Sequence, residues 1–205
     1  IEALGIGAPG PVDDKGVVLT AVNLRWDNFP LADVLAKAMK LPVVVDNDVN
    51  VGTWGEFAAG AGKGFSDMFG VFVGTGVGGG LVLDGRLYRG VQKTAGEIGH
   101  TVVLADGGVG RRTLENLASR TAIVNLIKAL VAANHPSEIM DLAGGDPDNI
   151  RSKVLAAAVK KKDPLTLEVV GDAAHYVGVA IANIVTVLSL PCVVVGGGVT
   201  EALGK

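Results

Sequence analysis

Apolar residues fall along the chain in two kinds of run, continuous and periodic. Continuous apolar runs bounded by glycine, proline or aspartate predict strands. These runs lie at 1–9, 16–22, 43–45, 68–73 and 192–195. Apolar residues with helical spacing predict helices, whose ends follow from proline, glycine and capping residues. These segments lie at 31–39, 48–61, 114–135, 150–162 and 164–190. Strands that alternate with helices indicate an α/β protein.

Tight turns in the sequence also predict pairs of antiparallel strands. Asp84-Gly85 separates the segments 81–83 and 86–88, and such a pair between apolar segments is a strong signal for a β-hairpin. The β-branched segment 16–22 predicts one half of a second hairpin. The sheets are therefore expected to contain both parallel and antiparallel strands.

Residues 60–66 are rich in glycine and polar side chains, which predicts a hinge. A chain of 205 residues lies between one and two typical domains. We therefore place a smaller α/β domain at 1–62 and a larger one at 63–205. Because the chain begins with Ile1 rather than methionine, we expect it to be part of a longer product.

Composition and charge exclude several classes of protein. Apolar residues make up 49% of the chain and charged residues 19%, which excludes intrinsic disorder. The net charge is −3, and the single dense cationic run, at 160–162, is typical of a solvated helix end, which argues against nucleic-acid binding. Cys192 is the single cysteine, which excludes a disulfide framework and a multi-thiolate metal site. A reducing, cytoplasmic location is therefore expected.

An uncharged stretch of 25 residues, 176–200, is long enough to span a bilayer. Asn183, Pro191 and three successive glycines interrupt it. A buried helix followed by a buried strand fits this pattern better. No membrane association is expected.

The segment 74–80 contains five glycines among its seven residues. It matches the dinucleotide-binding pattern, but a hairpin follows where that pattern needs a helix, so a Rossmann site is excluded. The bare amides could form an anion nest, to which Thr75 adds a hydroxyl donor. Alternatively, the glycines let two strands pack closely. The number of glycines favours phosphate binding.

Asp46-Asn47-Asp48 lies where a buried strand gives way to a helix. In open α/β sheets ligands bind at this carboxyl edge, and a carboxylate there can accept a proton from a substrate hydroxyl. Aspartate and asparagine also cap helices routinely. The residues alone leave both interpretations open.

Several motifs occur together in one order along the chain. They are 5–12 (GIGAPGPV), 23–26 (NLRW), 46–50 (DNDVN), 55–56 (GE), 74–80, 96–100 (GEIGH), 114–115 (LE) and 195–198 (VGGG). In this order they resemble the ROK family of sugar kinases, in particular its bacterial glucokinase branch. The resemblance implies an actin-like (ribonuclease H-like) two-domain fold with mixed sheets, in which ATP and sugar meet in a central cleft. It also implies that this chain is incomplete at both ends.

The resemblance assigns a role to each matching residue. It implies that Asp48 is the base facing the sugar 6-hydroxyl. The residues implied to contact the sugar are Gly7, Pro9, Asn47, Glu97, His100 and Glu115. Those implied to contact the ATP phosphates are Gly74, Thr75, Gly76 and Gly78, and those near the adenosine are Gly196, Gly197 and Gly198. Alternatively, Glu97 and His100 form a local hydrogen-bonded pair outside any helix. Glu115 then serves only to balance the partial positive charge at the N-terminus of its helix.

The resemblance implies ATP with Mg²⁺, and a homodimer, for transfer of the γ-phosphoryl group to a hexose 6-hydroxyl. Many members carry a zinc site, but the segment 101–114 contains no cysteine, so zinc is not expected here. The family's N-terminal Asp-x-Gly-Gly-Thr loop is also absent from the sequence. The alternatives are a sugar-responsive transcriptional regulator of the same family and a catalytically silent sugar-binding protein. The segment 23–26 with Pro30-Leu31 favours glucose among the hexoses.

Overall fold

The structure is a computed structural model that describes residues 1–204. Its strands are β1 Leu4–Ala8, β2 Val18–Ala21, β3 Trp26–Phe29, β4 Val43–Asn47, β5 Met68–Val73, β6 Val77–Leu83, β7 Arg86–Tyr88 and β8 Val193–Gly196. Its helices are α1 Leu31–Met39, α2 Asp48–Ala59, α3 Leu114–Ala118, α4 Arg120–Ala132, α5 Ile139–Leu142, α6 Ser152–Lys160, α7 Pro164–Leu188 and α8 Gly198–Leu203. Short 3₁₀ turns lie at Val22–Leu24, Ile98–His100 and Pro147–Asn149.

The chain forms two compact units. The first comprises residues 1–70 and 79–96, and the second comprises residues 71–78 and those from Glu97 onward. The chain passes from one unit to the other within β5 and β6, which belong to a four-stranded sheet of order β7-β6-β5-β8. The division into a smaller domain at 1–62 and a larger one at 63–205 stays a prediction.

In the first unit, β1 pairs in parallel with β4, so that Gly7 lies opposite Asp46 and Ala8 opposite Asn47. The strands β2 and β3 form an antiparallel hairpin, as the β-branched segment predicted. A cluster of buried apolar side chains packs between these strands and α1. Its members are Ala8, Val12, Val18, Ala21, Leu31, Ala32 and Val45. Burial of this cluster fixes the ends of β1 and β4, from which the candidate site begins.

In the second unit, helices α3, α4 and α7 pack on one another, and α6 packs against α8. Fully buried side chains at the centre of this unit include Leu114, Ile123, Ile127 and Leu155. Asp163 caps α7 by accepting a hydrogen bond from the amide of Thr166. The long helix predicted at 164–190 is thereby confirmed over Pro164–Leu188.

Three predicted boundaries are wrong. The single helix predicted from Leu114 is interrupted at Ser119, whose extended backbone ends α3 and whose side chain caps α4. The predicted loop 74–80 is shorter, because β6 already begins at Val77. The predicted loop 196–198 gives way to α8, which begins at Gly198. Glycines 78–80 lie inside β6, whereas Ser119 and Gly198 lie at helix ends that the apolar pattern does not mark.

Of the described helices, α7 is long and apolar enough to cross a bilayer by length and composition. The core helix of a soluble protein meets the same criterion, so this is weak evidence for a membrane span. The absence of membrane association stays a prediction.

Candidate active site

Both carboxylate oxygens of Asp46, at the end of β4, accept hydrogen bonds. Its Oδ1 accepts hydrogen bonds from the amide of Asn47 at 2.8 Å and from Nδ2 of Asn50 at 3.1 Å. Its Oδ2 accepts from Nε of Arg89 at 2.7 Å and from the Nη2 of the same guanidinium. The residue is buried, so this charge is satisfied inside the first unit. Asp46 therefore fixes the strand end and is unsuited to a reacting role.

Asn47 is the N-cap of α2. Its Oδ1 accepts from the amides of Val49 and Asn50, at 2.9 and 3.1 Å. Its Nδ2 donates to the carbonyl of Gly10 at 3.1 Å, which ties the loop after β1 to the start of the helix. The capping interpretation that the sequence left open therefore holds for Asn47. The second hydrogen of its amide is still available to a ligand, so its contact with sugar stays a prediction.

Asp48 is the first residue of α2, and it is exposed. Its Oδ1 accepts from the amide of Val49 at 2.9 Å. Within residues 1–204, its Oδ2 accepts no hydrogen bond. Of the two aspartates in this motif, Asp48 is thus the one with an oxygen free for a ligand.

The loop that follows β1 lies directly beside Asp48. A Cβ placed at Gly7 would lie 3.0 Å from the Cα of Asp48, which is tighter than ordinary side-chain contacts. Glycine at this position therefore allows the close approach of the two strand ends. Pro9 continues this loop toward Gly10, the hydrogen-bond partner of Asn47. The structure thus brings Gly7, Pro9, Asn47 and Asp48 together at one edge of the first unit.

The turn at 74–76 belongs to the second unit. The amide of Gly74 donates to the carbonyl of Gly76 at 2.8 Å, and the amide of Val77 donates to Oε2 of Glu115 at 2.9 Å. In the part of the chain that the structure describes, the amides of Thr75 and Gly76 donate to no other group. Thr75 is exposed. The predicted nest of bare amides is thereby reduced to these two neighbouring N–H groups and one hydroxyl.

The later glycines of this segment allow β6 to pack closely against neighbouring residues. A Cβ at Gly79 would lie 2.6 Å from the carbonyl oxygen of Gly96, and one at Gly80 would lie 2.2 Å from Oγ1 of Thr53. Both glycines are buried in β6. Close packing therefore explains the glycines in the second half of the segment, and phosphate binding by the first half stays a prediction. Gly78 lies in the same strand, half-buried, and its contact with ATP stays a prediction.

The turn Ile98–His100 packs against the start of α3. A Cβ at Gly99 would lie 3.4 Å from the Cβ of Glu115 and 2.0 Å from the carbonyl oxygen of Val77. Glu97 precedes this turn and His100 is its last residue. Both are exposed, with 3.9 Å between Oε2 of Glu97 and Nε2 of His100. That separation is longer than a hydrogen bond, so each side chain can bind a ligand. The structure thus brings Glu97, His100 and Glu115 to neighbouring elements.

Backbone contacts connect the two ends of the segment between His100 and Glu115. Val102 and Thr113 form an antiparallel bridge, and the amide of Val103 donates to the carbonyl of Arg112 at 3.0 Å. Nε of Arg112 donates to the carbonyl of Gly107 at 2.7 Å. No group of three or more His, Cys, Asp or Glu side chains suited to a metal ion occurs among residues 1–204.

The three glycines after β8 differ in their surroundings. Gly197 has a φ of 98°, and a Cβ there would lie 2.5 Å from the carbonyl oxygen of Val73. A Cβ at Gly196 would touch the ring of Phe72 at 3.3 Å, whereas one at Gly198 would meet nothing within 4 Å. Gly197 is therefore required by the backbone, and the contact of these glycines with adenosine stays a prediction.

The chain resembles known proteins over nearly its whole length. The sequence profile of the ROK family matches residues 1–204. The chain belongs to the ROK family. It is 40% identical over 205 residues to a glucokinase from Halalkalibacterium halodurans, covering 97% of this chain and 62% of that protein. It is also 34% identical over 203 residues to the xylose repressor of Caldicellulosiruptor bescii, covering 96% of this chain and 50% of the repressor.

A solved structure of similar fold is the ROK family glucokinase from Streptomyces griseus in complex with glucose and AMPPNP. The TM-score is 0.87 at 34% identity, covering 100% of this chain and 70% of that one. The predicted actin-like, ribonuclease H-like α/β fold of ROK proteins is thereby confirmed. This ROK chain spans about 62% of the length of the Halalkalibacterium halodurans glucokinase.

Two arginines of this ROK chain contribute to the candidate site, although neither belongs to the sequence motifs. Arg89 holds Asp46 from 43 residues away. Arg120 donates from Nη2 to Oγ1 of Thr75 at 2.6 Å, and its amide donates to the carbonyl of Gly74 at 2.9 Å. The single sequence hint for Arg120 is its place directly after Ser119, a residue type that caps helices.

Proposed function

We propose that the protein is an ATP-dependent hexose kinase that transfers the γ-phosphoryl group to the 6-hydroxyl of glucose or a related hexose. The observation that carries this proposal is the division of roles within the 46–48 motif. Asp46 is satisfied by Arg89 and Asn50, and Asn47 caps the helix. Asp48 keeps an exposed oxygen at the carboxyl edge of two parallel strands, where α/β proteins bind ligands.

Asp48 acts as the general base in this proposal. Its free Oδ2 takes the proton of the sugar 6-hydroxyl as the hydroxyl oxygen bonds to the γ-phosphorus. The bond from that phosphorus to the bridging oxygen breaks, and ADP leaves with the electron pair. The products are the sugar 6-phosphate, ADP and a proton on Asp48, which passes to water.

The second unit contributes binding groups. The free amides of Thr75 and Gly76, with the exposed Thr75 hydroxyl, suit phosphate oxygens. Glu97, His100 and Glu115 suit sugar hydroxyls, because each offers an acceptor or donor to water. The described residues offer no group of three or more His, Cys, Asp or Glu side chains that could hold Mg²⁺.

A sugar-responsive regulator is the second candidate, supported by the 34% identity to a xylose repressor. A pure sensor needs the sugar contacts but has no use for a general base. The homodimer and the cytoplasmic location stay predictions under either function.

A coupled assay of ADP formation by the complete protein, over glucose, fructose, mannose and N-acetylated amino sugars, tests the proposal. We expect turnover that requires both ATP and one of these hexoses. Sugar binding detected by calorimetry without ADP formation from any hexose would contradict the kinase proposal and favour the regulator.

A further inference from the structure

A polar cleft of about 430 Å³ lies in the second unit, along one face of α4. Arg120 and Lys128 line it from the helix, and Asp148 and Arg151 line it from the segment that precedes α6. Arg120 contacts the candidate site through Thr75, but neither the motifs nor the proposed transfer reaction accounts for the other three side chains.

The cleft carries an excess of positive charge. Three cationic side chains and one carboxylate line it, although the chain as a whole has a net charge of −3. Nζ of Lys128 donates to Oδ1 of Asp148 at 2.7 Å, so the one carboxylate is neutralised within the cleft. The hydrogen bond from Lys128 and its charge hold the pKa of Asp148 below its usual value. The guanidinium groups of Arg120 and Arg151 are left as the uncompensated charges.

The two arginines have different surroundings. Arg120 is anchored to the turn at 74–76, because its Nη2 donates to Oγ1 of Thr75 at 2.6 Å. That contact leaves most of the guanidinium N–H groups free for another acceptor. Arg151 is exposed and forms no ion pair or side-chain hydrogen bond within the described part of the chain. The cleft therefore runs from the residue that touches the phosphate-binding turn to an unpaired arginine.

We propose that this cleft binds an anion with two or more linked phosphoryl groups, held by Arg120 and Arg151. The inference rests on the proposed function, because Arg120 connects the cleft to the turn assigned to ATP phosphates. Guanidinium groups bind phosphate oxygens through paired, charge-assisted hydrogen bonds, and two of them favour a chain of phosphates over a single one. The source of that chain is either the nucleotide or a free inorganic polyphosphate.

Calorimetric titration of the complete protein with tripolyphosphate, ADP and adenosine, at constant ionic strength, tests the inference. The variants are R120Q and R151Q, and K153Q is the matched control, because Lys153 is also exposed and lies outside the cleft lining. We expect each arginine variant to weaken tripolyphosphate binding about tenfold, the effect of losing one charge-assisted contact. K153Q and the adenosine titrations should match the wild type. Equal thermal unfolding midpoints would verify that the variants are folded.

The two sources give different results. Weaker binding of both ADP and tripolyphosphate in the arginine variants supports the nucleotide as the source, and weaker binding of tripolyphosphate alone supports a free polyphosphate. If the wild type binds ADP and neither variant changes either titration, the inference is wrong while the proposed function stands. If the wild type binds neither ADP nor tripolyphosphate, both are wrong.

Discussion

The carboxylate of Glu115 accepts a hydrogen bond from the backbone amide of Val77, with 2.9 Å between Oε2 and the nitrogen. The same oxygen would lie 2.3 Å from a Cβ at Gly76, so a side chain there would displace it. Glu115 lies in the first turn of α3 and thus ties that helix to the turn at 74–76. Its Oε1 accepts no hydrogen bond among the described residues. One oxygen of Glu115 therefore holds the turn at 74–76, and the other is free for the predicted sugar contact.

Two substitutions separate these roles of Glu115. E115A leaves the buried Val77 amide without an acceptor, which should lower the free energy of unfolding by about 1–3 kcal/mol. E115Q keeps an acceptor for Val77, so its stability should stay within about 1 kcal/mol of the wild type. If Glu115 binds sugar through its charge, E115Q should still weaken glucose binding about tenfold. Urea unfolding and calorimetric glucose titration measure the two effects. Unchanged glucose affinity in E115Q would leave Glu115 a structural residue.

The D48N variant tests the proposed base. Asparagine preserves the size of the side chain but cannot accept the hydroxyl proton, so kcat should fall by roughly 10²–10⁴ while sugar binding survives. Steady-state kinetics with a parallel sugar titration measure both. D33N is a suitable control, because Asp33 is also exposed in the first turn of a helix. Normal turnover by D48N would remove Asp48 from the catalytic role.

Several of the regular elements could be predicted from the sequence, because local signals set their ends. The bounds of α1 and β5 agree with the prediction to the residue, since Pro30 and Pro42 frame the helix and glycines follow the strand. The break at Ser119 was missed because the apolar spacing continues through it. Extended backbone at Ser119 is stabilised by its own cap contact to the amide of Ala122, which no apolar pattern reports.

The division of roles within the candidate site depends on tertiary contacts and could not be predicted. Four polar residues at 46–50 share the same local signal, and the sequence cannot tell which of them is already satisfied. The hydrogen bond from Arg89, which is 43 residues away in the sequence, is what distinguishes Asp46 from the other three. In the same way, Thr53 and Gly96 explain the glycines of β6, whereas the composition of 74–80 suggested one extended phosphate loop.

Adjacent glycines after β8 should respond differently to alanine. Gly197 combines a φ of 98° with a Cβ position 2.5 Å from the carbonyl oxygen of Val73, so G197A should lower stability by about 2–4 kcal/mol. G198A is the matched control, because a Cβ there meets nothing within 4 Å and should change stability by less than about 0.5 kcal/mol. Urea unfolding midpoints compare the two. Equal loss in both variants would show that the backbone at Gly197 carries no special constraint.

Asp163 is a buried carboxylate at the start of α7. Burial alone would raise its pKa, but hydrogen bonds outweigh that effect and hold the pKa below the usual 3.8. The donors are the hydroxyl and amide of Thr166, the amide of Glu138 and the hydroxyl of Ser137. Because the folded state favours the charged form, these contacts stabilise the protein above the unfolded-state pKa.

The stabilisation by Asp163 should therefore be complete at neutral pH and be lost as the pH falls below about 4. In D163N the side chain still accepts one cap contact but cannot titrate, so unfolding at pH 7 should become easier by about 1 kcal/mol. The same variant should lose less stability than the wild type between about pH 5 and pH 3, since protonation of this site no longer destabilises it. Urea unfolding across this range measures the slope, with D172N, an exposed carboxylate on the same helix, as control. Wild-type and D163N curves that stay parallel with pH would show that Asp163 has the same pKa in the folded and unfolded states.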